Sequence, residues 1–114
     1  MADSQPAVRI FYRIVLNNPP TRLDFTSKIG LGIPPPVADL AIVRLWDGLS
    51  AYATEAQARR VARRYPQLGR YIAWVSIPEA GVVAYERTLV SPGHHTLWGQ
   101  PEELIRSVIA VVPV

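Results

Sequence analysis

The chain contains no cysteine, which excludes disulfides, thiolate metal sites and cysteine nucleophiles together. Lysine is almost absent too. Lys28 is the only one, so eleven of the twelve basic residues are arginine. With abundant alanine and proline, that bias suggests a bacterial chain of GC-rich coding. No apolar run approaches the ~20 residues of a membrane span, and no basic-then-apolar leader opens the chain. The expectation is a soluble cytoplasmic protein with no membrane partner. P-loop, nucleophile-elbow, zincin and paired-cysteine motifs are all missing. Gly30-Leu31-Gly32 carries a Gly-x-Gly, but no third glycine follows and no clean strand precedes it.

What is present suits one globular unit. The 114 residues are enough for a single core and too few for two. Apolar residues make up 49% of the chain, which argues against disorder over most of it. Residues 1–114 are therefore read as one domain, with Met1 to Ala7 expected to be disordered.

The firmest local expectation is a helix over Thr54 to Tyr65. Thr54-Glu55-Ala56-Gln57 matches a capping box, in which the threonine hydroxyl takes one free N–H and Gln57 reaches back. Ala58, Val61, Ala62 and Tyr65 form one apolar stripe, and Pro66 stops the helix. Arg59, Arg60, Arg63 and Arg64 fall on the opposite arc. Glu55 to Tyr65 carries four arginines and one glutamate, equal to the whole formal charge of +3. Such a face suits phosphate, or simply solvates the domain.

Strands are expected at Val8 to Leu16, Gly48 to Tyr52, Arg70 to Ile77, Val82 to Leu89, His94 to Trp98 and Val108 to Val112. The third and fourth are joined by a hairpin-like turn at Pro78-Glu79-Ala80-Gly81. Pro36 is placed as the first residue of another helix carrying Val37, Leu40, Ala41, Arg44 and Leu45. Pro101 to Arg106 reads either as a helical turn with Pro101 at its first position or as an extended start to the last strand. The fold class is α+β, a mostly antiparallel sheet with two or three helices.

Three places carry the candidate chemistry. Arg13 lies mid-strand, where it either caps a sheet edge or grips phosphate or carboxylate. Ser50 and Tyr52 stand two residues apart on one strand face, just before the capped helix. Gln100 and Glu102 share a face if their segment is extended. His94 and His95 point to opposite sides of a strand, a poor metal chelate; a surface role is expected for them, with hydrogen bonding to a ligand or action as a base as the alternative. Trp46, Trp74 and Trp98 are expected mostly in the core, with one or two available as interface anchors.

The order Phe11-Tyr12-Arg13, Gly48-Leu49-Ser50-Ala51-Tyr52, Gln100-Pro101-Glu102 resembles the compact bacterial members of the ADP-ribosyltransferase superfamily. The resemblance implies a transferase or toxin-like effector, one delivered to another cell in some cases, with NAD as substrate and no metal. It implies that Glu102 holds the ribose hydroxyl and stabilises positive charge as the nicotinamide–ribose bond breaks. Arg13 would bind the pyrophosphate or adjoining ribose, Ser50 would brace the glutamate, and Tyr52 would stack on nicotinamide. Gln100 completes the Gln-x-Glu element. This third element requires an extended backbone at 100–102. Two other classes stand beside it: a toxin-neutralising or adaptor module that binds a cognate protein, and a nucleic-acid binder using the basic helix over 55–65.

Overall fold

Alternating, β-favouring residues carry the chain through β1, Val8–Val15, which pairs along its whole length with β3, Tyr71–Pro78, in the computed structural model. The structure describes residues 7–88 and 90–114. Met1 to Pro6, part of the segment expected to be disordered, and Leu89, the expected end of the fourth strand, lie outside the described residues.

Four further strands complete a six-stranded antiparallel sheet in the order β4-β5-β2-β1-β3-β6. They are β2 (Leu49–Tyr52), β4 (Ala84–Arg87), β5 (His94–Trp98) and β6 (Val108–Pro113). Three helices pack around it: α1 (Leu40–Trp46), α2 (Glu55–Arg64) and α3 (Pro101–Arg106). The architecture is α+β. No helix among the described residues is long and apolar enough to cross a membrane.

Cores form on both sheet faces. One holds Phe11 and Val15 with Ala51, Val75, Ile77 and Leu97, roofed by Phe25 and by Leu104 of α3. The other holds Ile14, Tyr52 and Ile72 beneath Ala58 and Ala62 of α2. The small alanines let the helix approach the sheet closely. The more deeply buried face of β1 is thus the one that also carries Arg9 and Arg13. Arg9 is exposed and Arg13 half-buried, each with its guanidinium group over an aromatic ring, Arg9 over Phe11 at 5.0 Å and Arg13 over Phe25 at 5.8 Å.

Several expectations are corrected. Pro78 to Gly81 does not close a β3–β4 hairpin, because both edges of β3 are already taken, by β1 and β6. β4 crosses to the far edge and pairs with β5, with Ala84 facing Trp98 and Arg87 facing His95. Pro36 does not start α1. Asp39 does, accepting from the N–H groups of Ala41 and Ile42 at 2.9 and 3.3 Å. None of the three tryptophans is fully buried. Each instead donates its indole N–H: Trp46 to the Ile33 carbonyl, Trp98 to the Arg44 carbonyl and Trp74 to Glu55. α1 buries no residue, and those two indole bonds to carbonyls tie it and the preceding loop in place.

Candidate functional site

Between β1 and β2 the sheet opens. These strands are joined at a single register position, Tyr12 opposite Tyr52, whereas β1 and β3 match over eight. Beyond Tyr12 the missing ladder is replaced by a side chain. Arg13 donates from Nη1 to the Ser50 carbonyl at 2.7 Å and from Nε to the Asp24 carbonyl at 2.9 Å. Burial lowers the Arg13 pKa to about 10, against the attraction of Asp24 and Tyr52, so it stays charged at neutral pH.

Asp24 sets this geometry from below. It sits in a 3-10 turn, Arg22–Phe25, and is only 6% exposed. Its carboxylate accepts from the Leu16 N–H at 2.8 Å, the Thr21 N–H at 2.9 Å, Asn17 Nδ2 at 3.1 Å and Thr21 Oγ1 at 3.3 Å. Burial alone would raise its pKa, but these hydrogen bonds outweigh burial and hold it below the ordinary value. The Asn17-Asn18-Pro19-Pro20 turn is thereby folded back onto β1. The Asp24 backbone carbonyl is left to receive Arg13.

The divergence of the strands leaves a cavity of about 380 Å³. Arg13, Lys28, Trp46, Ser50 and Tyr52 line it, with leucines from several elements. Strand parity places Arg13 on the sheet face opposite the Ser50 and Tyr52 side chains, since Tyr12, not Arg13, faces Tyr52. All three nonetheless reach one cavity, because the sheet is split at that position. Lys28 Nζ lies 4.1 Å from the Trp46 ring centroid. Gly48 borders the same space, and a Cβ there would run into the Thr96 methyl group and crowd the Trp98 indole nitrogen at 3.0 Å.

Ser50 is exposed on its strand, and its hydroxyl lies 3.0 Å from His94 Nε2. The other ring nitrogen, Nδ1, lies 2.5 Å from Thr88 Oγ1. Tyr52 meets the His94 ring edge-on at 5.5 Å between centroids. Burial, and then the neighbouring His95, lower the His94 pKa, with only the Thr88 bond opposing. His94 is therefore a neutral imidazole at neutral pH. Burial likewise raises the Tyr52 pKa and keeps its phenol neutral, against Ser91 and Arg13.

The surface role expected for the histidines is corrected, since His94 and His95 are 6% and 4% exposed. Their alternation across the strand holds. His94 meets Ser50, while His95 packs on Phe11 at 4.9 Å and approaches Arg9 on the other face. Among the described residues no group of three or more His, Asp or Glu side chains is placed to hold a metal ion.

The third element does not join the other two. Pro101–Arg106 is helical, with Gln100 at its N-cap and Pro101 at its first position, so the extended spacing that put Gln100 and Glu102 on one face does not form. Gln100 borders a separate cavity of about 310 Å³ with Asp47 and Trp98. Glu102 lines neither cavity and ion-pairs with Arg22 at the exposed surface. From sequence, Asp24 offers only a polar contact in an irregular segment, Lys28 has no site role, and Trp46 counts as core or interface anchor. Thr21-x-x-Asp24 was the available signal for the first, a short turn-forming spacing. For the other two there was none, because their position depends on the loop path. Comparison of the chain with protein-family models, with curated proteins and with solved structures gives no match.

Proposed function

We propose that this chain is an ADP-ribosyltransferase-like domain that binds NAD in the β1–β2 cavity and cleaves its nicotinamide–ribose bond. The observation that carries the reading is the convergence of Arg13 of β1 with Ser50 and Tyr52 of β2 on one cavity. Its volume falls within the range of small-molecule sites. Two cations, two aromatic rings and a hydroxyl match the parts of a nucleotide. Lys28 and the unengaged nitrogen of Arg13 take the pyrophosphate. Tyr52 or Trp46 stacks on nicotinamide. Ser50 bonds a ribose hydroxyl.

In the reaction the C1′–N bond breaks, its electron pair leaves with nicotinamide, and an oxocarbenium-like centre develops. A water or acceptor hydroxyl then bonds C1′ and gives its proton to the Ser50 hydroxyl, which passes its own to His94 Nε2, 3.0 Å away behind the cavity wall. A neutral imidazole is the form that can accept it. Glu102 has no part in this scheme, since it lies outside the cavity. Asp24 is also unavailable, its oxygens being occupied by the turn. Charge stabilisation by a free carboxylate is thus absent from the scheme, and turnover is expected to be slow.

Calorimetric titration with NAD, followed by assay of released nicotinamide, tests the reading. Saturable binding, weakened in Arg13→Gln, supports the site, and nicotinamide release that His94→Gln abolishes supports the chemistry. Binding without release would make the domain a nucleotide-binding module. Absence of binding would overturn the proposal.

A further inference from the structure

A third cavity, of about 480 Å³, lies between α2 and the turn at Val90–Pro92. It shares Tyr52 and Leu68 with the first, so the two adjoin. Gln57, Arg60, Arg64 and Tyr65 line it. Arg60 and Arg64 are exposed and make no ion pair among the described residues. Tyr65 is 43% exposed, with the Arg64 guanidinium 5.5 Å from its ring centroid. The basic surface also runs past this cavity. Arg63 and Arg70 are exposed and line a neighbouring hollow beside Gln67.

Not every arginine of α2 belongs to this surface. Arg59 is held by the Pro113 carbonyl at 2.9 Å and by Glu55 at 3.4 Å. Arg60 stands three and four residues from Arg63 and Arg64, and the one acid of α2, Glu55, borders a hollow with Arg60 and Arg63 but is engaged by Arg59 and Trp74. Arg60, Arg63, Arg64 and Arg70 together exceed the whole formal charge of +3, and a cationic stripe this concentrated favours an extended polyanion over a compact ligand. An exposed aromatic ring set among the arginines adds a stacking surface, which a duplex cannot use and unpaired bases can.

We propose that this face binds a single-stranded nucleic acid, with phosphates on Arg60, Arg63, Arg64 and Arg70 and a base stacked on Tyr65. The site goes beyond the NAD reading and does not depend on it. It places the strand against the wall of the first cavity, across Tyr52.

Fluorescence anisotropy tests it, with fluorescein-labelled single-stranded DNA and RNA of about twelve nucleotides, a length within the span of known single-strand sites. Affinity should fall with salt, and the double variant Arg60→Glu, Arg64→Glu should flatten the log–log slope by about 0.7 for each arginine removed. Tyr65→Leu should weaken binding without altering that slope. Whichever of DNA and RNA binds tighter names the source, and binding of either supports the proposal. The control variant Arg87→Glu, Arg106→Glu makes the same charge change away from the face. An equal loss there would reduce the effect to net charge and overturn the site. So would a polyglutamate peptide or a duplex that binds as well as the single strand. A loss of NAD affinity in the Arg60→Glu, Arg64→Glu variant would assign the cavity to NAD instead. NAD binding can fail altogether while strand binding persists, so the two proposals fall separately.

Discussion

Replacing Asp24 by asparagine should do more damage than any other single isosteric change in this fold. The carboxylate is 6% exposed and accepts four hydrogen bonds, three of them on Oδ2 and one, from the Leu16 N–H, on Oδ1. Asparagine can keep its oxygen towards the three donors, but its NH2 then confronts the Leu16 N–H. One bond is lost outright and three lose their charge assistance. With hydrogen bonds to charged groups at about 1.5–3 kcal/mol and neutral ones at about 1, the lower end of these ranges already gives a loss of about 3 kcal/mol. Against a total stability of about 5–15 kcal/mol that is a large share. It should appear in urea as a midpoint lower by at least about 1 M, given slopes of about 1–3 kcal/mol/M. The pH dependence supplies the check. The folded Asp24 pKa lies below its ordinary 3.8, so its contribution is complete above that value and is lost as pH falls through the folded pKa. Wild type and Asp24→Asn should therefore converge in stability on acidification below the carboxylate range. A variant within about 0.5 kcal/mol of wild type at pH 7, or a gap that persists in acid, would refute the reasoning.

Four further outcomes are expected. Ala58→Asp should cost at least about 3 kcal/mol by placing an unpaired charge against the sheet, and Arg60→Asp less than about 0.5, as thermal or urea unfolding would show. His94 has a folded pKa below 6.5, so its contribution is complete above pH 6.5 and declines as pH falls from there through the folded pKa; His94→Gln should remove that part of the pH–stability curve. Arg13→Gln should weaken NAD binding on the order of ten-fold, through loss of a charge-assisted phosphate contact, in calorimetric titration. Glu102→Ala should change stability by no more than about 1 kcal/mol, because its pair with Arg22 is exposed, and should leave NAD affinity unaltered; abolished nicotinamide release in this variant would restore it to the site.

The sequence by itself determined the elements whose signals are local. Thr54 and Gln57 specified the start of α2, and the observed bonds, Gln57 N–H to Thr54 Oγ1 at 3.2 Å and Thr54 N–H to Gln57 Oε1 at 3.1 Å, are those the spacing implies. Alternation specified β1, and a proline at the first position was compatible with α3. Ser50 and Tyr52 could be put on one face for the same reason, since the two-residue period of a strand needs no partner to hold. Tertiary structure alone decided which strands pair. β4 and β3 are neighbours in sequence, yet they lie at opposite sides of the sheet, because pairing depends on which edges are free. It also decided that β1 and β2 part after Tyr12. That separation makes the cavity, admits Arg13 to it across the sheet, and brings in Lys28 and Trp46 from a loop and a short helix with no motif of their own. Glu102 shows the converse. Its spacing from Gln100 was suggestive in one dimension, but one helical turn rotates it out of line, and the exposed Arg22 holds it there.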